Sequence, residues 1–142
     1  MDITFTFEVH TPYRLFFSGR VESFSLTLLD GEIGVHKNRL AFFAPVVTCI
    51  LRIKDNKGQI RSAFITDGVL EVKEFNTVLM VETAEWPEEI DTERAQTAKQ
   101  NAQEDLEAAM LKFEVDNAKA KLRRAEFRLK AAALNNASPD IL

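Results

Sequence analysis

The feature that most constrains the fold of this chain is an abrupt change of residue types between its two halves. All five glycines and nine of the eleven phenylalanines precede residue 76, whereas alanine is concentrated after residue 90. Glycine permits tight reversals and phenylalanine favours strands, while alanine has the highest helix propensity. We therefore predict two regions, a β domain over residues 1–86 and a helical domain over residues 87–142.

The first half carries the alternation that is typical of β-strands. Ile3, Phe5, Phe7 and Val9 alternate with polar residues, so one face of this segment is apolar. Further strand-like runs follow at residues 21–29, 46–53, 59–66, 69–74 and 78–83. Turn signals separate them at a Gly-rich corner (residues 30–34), at residues 55–58 and at residues 67–68. Many short strands spaced in this way predict a β sandwich or barrel.

The second half has the pattern of helices. Pro87 closes the β part, and Asp91 is a natural N-cap for a helix whose first turn also carries Glu93. Two apolar stripes at helical spacing follow, at residues 95, 98, 102, 106, 109 and 113 and at residues 118, 122, 125, 129, 132 and 133. A single helix of this length would span about 60 Å and leave its stripe uncovered. We therefore predict an α-helical hairpin whose reversal falls at residues 110–117.

The two stripes consist mostly of alanine. Each buried methyl group contributes only about 0.8 kcal/mol, which is far less than a buried leucine contributes. The hairpin is therefore expected to be closely packed but weakly held, as in an element that can detach. An ordinary hairpin of small residues is the alternative interpretation.

Few residues are suited to catalysis or metal binding. His10 and His36 have no cysteine or carboxylate at ligand spacing, and the corner at residues 30–34 is too short for a phosphate-binding loop. The net charge of −4 offers no positive field for nucleic acid. We expect no catalytic residue, no metal and no nucleic-acid partner, and we expect the single cysteine, Cys49, to lie in the core.

The last predicted helix is strongly basic. Its cations are Lys119, Lys121, Arg123, Arg124, Arg128 and Lys130, with Glu126 as the acidic residue among them. At 100° per residue, Lys121, Arg124 and Arg128 share one flank of the alanine stripe. One interpretation is a solvated helix face. The other is a docking surface for an acidic partner or a polyphosphate, because arginines at i and i+4 can grip one anion together.

Four segments of the chain stand out, at residues 15–22 (LFFSGRVE), 30–35 (DGEIGV), 67–72 (DGVLEV) and 84–85 with 90–95 (AE and IDTERA). They occur in the order that is typical of the epsilon subunits of bacterial F-type ATP synthases. The chain resembles that family over nearly its whole length. The resemblance implies a sandwich of about ten strands followed by a helical hairpin. It also implies a non-catalytic central-stalk subunit that couples the gamma subunit to the c-ring and inhibits ATP hydrolysis through its C-terminal helices.

The resemblance further implies particular partners and residues. The sandwich would dock on gamma, the loop matching Gly31, Glu32 and Gly34 would touch the c-ring, and the basic helix would meet the catalytic beta and alpha subunits. No cofactor is required. In some bacterial members ATP is a regulatory ligand, and the positions that match its site are Ile90, Asp91, Arg94, Ala95, Arg124 and Arg128. The chain is accordingly expected at the cytoplasmic face of the bacterial inner (plasma) membrane, as a peripheral protein held there only through the complex.

Two segments depart from the family pattern. Residues 36–41 (HKNRLA) replace a Pro-Gly-His-Ala-Pro-like stretch, which implies altered contacts with gamma. Asn101 stands where ATP-binding members often carry a further arginine, which predicts weaker binding of nucleotide. The competing hypothesis, from a different class, is a stand-alone β domain that binds a small ligand and dimerises through its helical hairpin.

Overall fold

Strands precede helices in the computed structural model, which describes residues 2–134. Within this range the strands are β1 (Phe5–His10), β2 (Leu15–Leu28), β3 (Gly31–His36), β4 (Phe42–Val46), β5 (Cys49–Asp55), β6 (Ile60–Ile65), β7 (Gly68–Val72), β8 (Asn76–Val81) and β9 (Ala84–Glu85). A 3-10 turn at Pro87–Glu89 leads to helices α1 (Thr92–Ala108) and α2 (Lys112–Leu134). The predicted fold class, a β sandwich followed by a helical hairpin, is confirmed. Residues 135–142 of the predicted helical domain lie outside the described residues.

The strands form two layers that share β2. One layer contains β1, β8, β7 and β4, and the other contains β3, β5, β6 and β9. Strand β2 is 14 residues long and pairs with β1 through its first half and with β3 and β5 through its second half. One long strand thus serves both layers, which is why the described chain forms its sandwich from nine strands where about ten were expected.

The core lies between the two layers and is rich in phenylalanine. Phe7 of β1 stacks on Phe24 of β2 with their ring centroids 4.0 Å apart. Fully burying a side chain of this size contributes about 1.5–3 kcal/mol. Cys49 is buried in the same cluster, so its predicted core position is confirmed. Together these contacts give the sandwich its own hydrophobic core, separate from the alanines of the hairpin.

The turns agree with the sequence prediction at residues 55–58 and differ from it at residues 30–34. Gly58 has a φ of +81°, and the Asp55 carboxylate accepts the backbone N–H groups of Lys57 and Gln59, so the β5–β6 hairpin is as predicted. The predicted Gly-rich corner, residues 30–34, includes residues that belong to a strand. The turn is Leu29–Asp30, and residues 31–34 already pair with β2 as part of β3.

The helical hairpin reverses earlier than predicted. Ala109 leaves the helical conformation with φ −68° and ψ +133°, and α2 begins at Lys112, so the prediction that residues 112–117 belong to the reversal is wrong. The buried alanines explain this position. Ala102 and Ala118 are equidistant from residue 110, and so are Ala95 and Ala125, so a reversal at residues 109–111 sets them opposite each other in an antiparallel pair.

The hairpin packs across the outer face of β5 and β6. Ile50 and Phe64, which point away from the sandwich core, are buried there together with Ile90 and Ala131, and Phe127, Ala132 and Leu134 pack around them. The predicted stripes are therefore only partly correct. Ala98, Phe113 and Ala133 are exposed, whereas Ala131, which was not in the stripe, is buried against the sandwich.

Candidate functional site

The residues matched to the c-ring loop lie at the start of β3 and on its outer surface. Gly31 follows the turn with a φ of +128°, which is a left-handed conformation that disfavours other residues. The Glu32 side chain is 76% exposed, and its carboxylate lies 3.9 Å from the Arg52 guanidinium. Gly34 is also exposed, and its carbonyl accepts a hydrogen bond from Arg39 at 2.7 Å. An exposed carboxylate at the tip of a rigid hairpin is available for contact with a polar surface.

Part of the outer face of the β1–β8–β7–β4 layer, on β4, β7 and β8, is apolar and is uncovered within residues 2–134. Pro45, Val69 and Met80 lie side by side in register across β4, β7 and β8. Phe43 of β4, which is 69% exposed, projects from the same face. We call this face the open face. Exposed apolar side chains that cluster in this way are typical of a protein interface. The open face was not predicted from the sequence, although the adjacent Phe42 and Phe43 place one aromatic ring on each side of a strand.

Two arginines of α2 attach the hairpin to the sandwich. Arg123 donates from Nε and Nη2 to the Thr48 carbonyl at 3.3 and 3.0 Å. Arg128 donates from Nε to the Glu85 carboxylate at 2.7 Å, and its guanidinium lies 4.9 Å from the centre of the Phe64 ring. Both contacts are partly buried, which makes such bonds stronger than ion pairs in open solvent. The structure thus shows the hairpin in a docked form.

The six basic residues of α2 do not share one surface. Arg123 and Arg128 face the sandwich, Lys119 is exposed, and the Lys130 ammonium lies 5.8 Å from the Phe127 ring centre. Lys121 and Arg124 are turned towards α1, where they line a cavity between the helices. In the docked form, the predicted surface for an acidic partner is therefore divided among three directions.

The cavity between the helices is the place in the hairpin best suited to an anion. It measures about 380 Å³ and is lined by Ala98, Asn101, Ala102 and Asp105 of α1 and by Lys121, Arg124, Ala125 and Arg128 of α2. The structure thus brings Arg124 and Arg128 together, as the i, i+4 spacing predicts. It also places Asn101, the residue that replaces a family arginine, in the same cavity.

A second cavity adjoins the first through the same two arginines. It measures about 310 Å³ and lies between α2 and three loops of the sandwich. Arg124 and Arg128 line it together with Thr48, Thr66, Asp67, Glu82 and Thr83. The two guanidinium groups therefore stand between an inter-helical space and a space lined by hydroxyl and carboxylate groups.

The other residues matched to an ATP site lie apart from both cavities. Ile90 is buried against Ile50 and Ala131, and Ala95 is buried between the helices. The Asp91 side chain caps α1 by accepting the backbone N–H of Arg94 at 3.1 Å. The Arg94 side chain is exposed. None of these four residues lines either of the two arginine cavities.

The linker between the two domains is fixed to the sandwich by charged and aromatic contacts. Arg14 pairs with Glu89 at 2.9 Å, and this hydrogen bond lowers the pKa of the Glu89 carboxyl and raises the pKa of the Arg14 guanidinium. Trp86 stacks on Phe16 with ring centroids 4.3 Å apart, and the Arg61 guanidinium covers the Trp86 ring at 3.8 Å. The segment that leads into α1 is therefore fixed to the sandwich by its own contacts, independently of the contacts that α2 makes.

The two histidines were expected to play no part in a metal site. His10 lies 3.5 Å from the Glu8 carboxylate, and His36 is exposed at the end of β3. Over residues 2–134, no group of three or more His, Cys, Asp or Glu side chains is placed to hold a metal ion. In the same part of the chain, neither helix has the length and apolar character needed to cross a membrane.

Known proteins resemble this chain in sequence over both domains. Residues 4–87 match the family model for the ATP synthase delta/epsilon chain β-sandwich domain, and residues 88–133 match the model for its long α-helix domain. The ATP synthase epsilon chain of Caldanaerobacter subterraneus is 43% identical over 134 residues, covering 94% of this chain and 96% of that relative. The same-named chain of Caldicellulosiruptor bescii is 41% identical, covering 92% of this chain and 95% of its own.

Solved structures resemble it in fold. One chain in the cryo-EM structure of the Euglena gracilis mitochondrial ATP synthase OSCP/F1/c-ring assembly superposes with a TM-score of 0.80 at 18% identity, covering 94% of this chain and 83% of that one. A chain of the Tetrahymena thermophila mitochondrial ATP synthase central stalk and c-ring superposes with a TM-score of 0.61 at 14% identity, covering 90% of this chain and 96% of that one.

The fold and its surfaces define a small two-domain protein in which a β sandwich has one outer face covered by a helical hairpin and the other outer face uncovered by residues 2–134. The chain belongs to the ATP synthase delta/epsilon chain family.

Proposed function

We propose that the chain is a non-catalytic central-stalk subunit of a proton-translocating F-type ATP synthase. It couples the gamma subunit to the c-ring and restrains ATP hydrolysis through its C-terminal helices. Membership of the delta/epsilon family over residues 4–133 supports this function. The observation that carries it is the difference between the two outer faces of the sandwich. One face holds the hairpin through a small number of contacts, and the other is the open face with its exposed apolar side chains.

The open face is the proposed docking surface for gamma. Phe43, Val69 and Met80 offer apolar area on a rigid sheet, and burying such area is the main driving force of stable association. Glu32, at the exposed tip of the β2–β3 hairpin, is the proposed contact with the c-ring. With these contacts the subunit would be peripheral, at the cytoplasmic face of a bacterial inner membrane, and attached to it only through the complex.

The hairpin is the proposed regulatory element, acting on the catalytic beta and alpha subunits. Its attachment to the sandwich depends on two arginine contacts and one small apolar cluster, so release requires little rearrangement of the sandwich. The proposed regulatory ligand is ATP. Support comes from Arg124 and Arg128, whose guanidinium groups line one cavity together and can grip phosphate as a pair.

The experiment that tests this function is recovery of the tagged full-length chain from cell membranes, followed by identification of its partners. We expect alpha, beta, gamma and c subunits to be recovered in fixed proportion. A Phe43→Ser/Met80→Ser variant should lose gamma, whereas a Tyr13→Ser variant, which removes a still more exposed aromatic side chain from a loop, should retain it.

The same experiment addresses the competing hypothesis. A chain that is recovered as a homodimer with a small ligand and without ATP synthase subunits would contradict the proposed function. Family membership favours the subunit over the stand-alone ligand-binding domain.

A further inference from the structure

A cavity at one end of the sandwich is formed by four segments of the chain. It measures about 340 Å³, and its walls come from the start of β1, from Arg20 of β2, from the β3–β4 loop and from the β7–β8 turn. The β3–β4 loop is the segment in which the sequence departs from the family pattern. Within it Asn38 adopts a left-handed conformation with a φ of +69°, a conformation that asparagine tolerates better than most residues do.

The cavity is positively charged. Arg20, Lys37, Arg39 and Lys73 line it, with Glu74 as the carboxylate among the lining residues. Two of these cations are already matched by neighbouring acids, because Arg20 lies 3.1 Å from Asp2 and Lys73 lies 3.4 Å from Glu71.

The other two cations donate hydrogen bonds to backbone carbonyl groups, and the Arg39 guanidinium also lies 5.9 Å from the centre of the Phe42 ring. Lys37 donates to the Asp2 carbonyl at 2.7 Å, and Arg39 donates to the Gly34 carbonyl at 2.7 Å. Among residues 2–134, no carboxylate lies within 4.0 Å of either side chain. Carbonyl groups orient these cations without neutralising them, so their charge remains available to an external acid.

Exposed apolar side chains stand beside this charge. Phe75, which is 83% exposed, lines the cavity itself, and Leu40, which is 88% exposed, directly follows Arg39. The open face, with Phe43, begins only four residues beyond Arg39 in the chain. Basic and apolar groups side by side recognise a peptide that carries both kinds of partner group.

We propose that this basic cavity seats an acidic segment, flanked by apolar residues, of the protein that docks on the open face. The proposal rests on the proposed function, since it extends that interface to the end of the sandwich. A single phosphate ion fits less well. The cavity is far larger than such an ion, Lys37 and Arg39 point their bonded N–H groups at different carbonyls, and an apolar rim adds nothing to the binding of a small anion.

The test measures binding of the full-length chain to an alpha–beta–gamma complex from which the resident epsilon subunit has been removed. Three proteins are compared: the wild type, Arg39→Glu, and Lys57→Glu as a control with the same change of charge. Lys57 lies in the exposed β5–β6 turn. We expect Arg39→Glu to bind roughly tenfold more weakly at low ionic strength, chiefly through slower association, and the difference to shrink at high salt. Lys57→Glu should bind like the wild type.

The apolar part of the site is tested with Leu40→Ser. We expect this variant to dissociate faster than the wild type at every ionic strength, because its contribution does not depend on charge. Leu29→Ser, which removes an exposed leucine from the β2–β3 turn, is its control and should behave like the wild type in a complex without the c-ring.

The outcomes separate this inference from the proposed function. If the wild type binds and Arg39→Glu binds equally well, the inference is wrong and the proposed function stands. If the wild type does not bind the complex at all, both fail. If the isolated chain binds inorganic phosphate, and Arg39→Glu abolishes that binding while leaving association with the complex intact, the cavity is a small-anion site and the inference is overturned.

Discussion

Replacing Ala131 by aspartate should detach the helical hairpin while leaving the sandwich folded. Ala131 is fully buried on the docked face of α2, among Ile50, Phe64 and Ile90. Its side chain lies outside the sandwich core, so its environment exists only while the hairpin is docked. The substitution therefore acts on docking and not on the packing between the two sheet layers.

The expected loss of docking free energy in Ala131→Asp follows from this environment. The larger side chain costs about 1–3 kcal/mol in overpacking, and a carboxylate without a partner in an apolar cluster costs several kcal/mol more. Against this, docking gains about 1.5–3 kcal/mol for each large side chain that it buries, and here these are Phe64, Ile50 and Ile90. The cost is comparable with the whole docking energy, so the docked form of Ala131→Asp should be populated at least about 100-fold less than in the wild type.

Hydrogen exchange of the backbone amides measures this shift. Amides of α1 and α2 should lose protection, whereas those of β1 and β8, in the layer on the far side of the sandwich, should keep it. Ala133→Asp is the matched control, because Ala133 lies two residues further along the same helix and is exposed. Equal protection of the helices in Ala131→Asp and Ala133→Asp would refute the conclusion that this cluster holds the hairpin.

Three further expectations concern single groups. If ATP binds in the inter-helical cavity as proposed, replacing Asn101 by arginine should tighten its binding roughly tenfold, because a charge-assisted hydrogen bond is added beside Arg124 and Arg128. The exposed control Gln103→Arg should change little, and a calorimetric titration that finds both variants equal would contradict this location of the nucleotide. Burial raises the pKa of the Cys49 thiol, so Ellman's reagent should react with it only on unfolding, and rapid reaction of the native chain would contradict its core position. The Arg14 hydrogen bond lowers the folded-state pKa of Glu89 below its ordinary value of 4.5. The stability that this pair contributes, and that Glu89→Gln removes, should therefore be present above pH 4.5 and be lost as the pH falls through the folded-state pKa. Denaturant unfolding of both proteins at several pH values measures this difference.

Alternation of apolar and polar residues identified β1 but not β3, whose two glycines were interpreted as a corner. Strand β1 buries Phe7 and Val9 and turns Glu8 and His10 outwards, so its alternation is visible in the sequence. Strand β4 was missed because both of its faces are apolar and because it contains Pro45. Proline is tolerated there because β4 is paired along its length only with β7 and meets β2 at a single pair of residues.

Non-local contacts of the hairpin were beyond the reach of sequence patterns. Helical spacing correctly placed Arg124 and Arg128 side by side, since that relation depends on α2 alone. The partner of Arg128 is Glu85, which lies 43 positions earlier in the chain, and no periodicity connects the two residues. In the same way, Ala131 is buried and Ala133 is not because Ile50 and Phe64 lie beneath Ala131, and the positions of these two residues are fixed by the sheet.

Arg123 and Arg128, which attach the hairpin to the sandwich, link the two proposed activities of α2. In the docked form, Arg123 is bound to the Thr48 carbonyl and the Nε of Arg128 to the Glu85 carboxylate, so an acidic segment of another subunit would have to displace these contacts to take both arginines. A partner that needs these arginines must therefore compete with the sandwich of this same chain, and its apparent affinity is reduced by the fraction of molecules that are docked. A ligand held between α1 and α2 would add to the stability of the hairpin without requiring Arg123 to leave Thr48. Docking, partner binding and ligand binding thus draw on one short basic segment, and this explains why its cations are divided among several directions instead of forming one face.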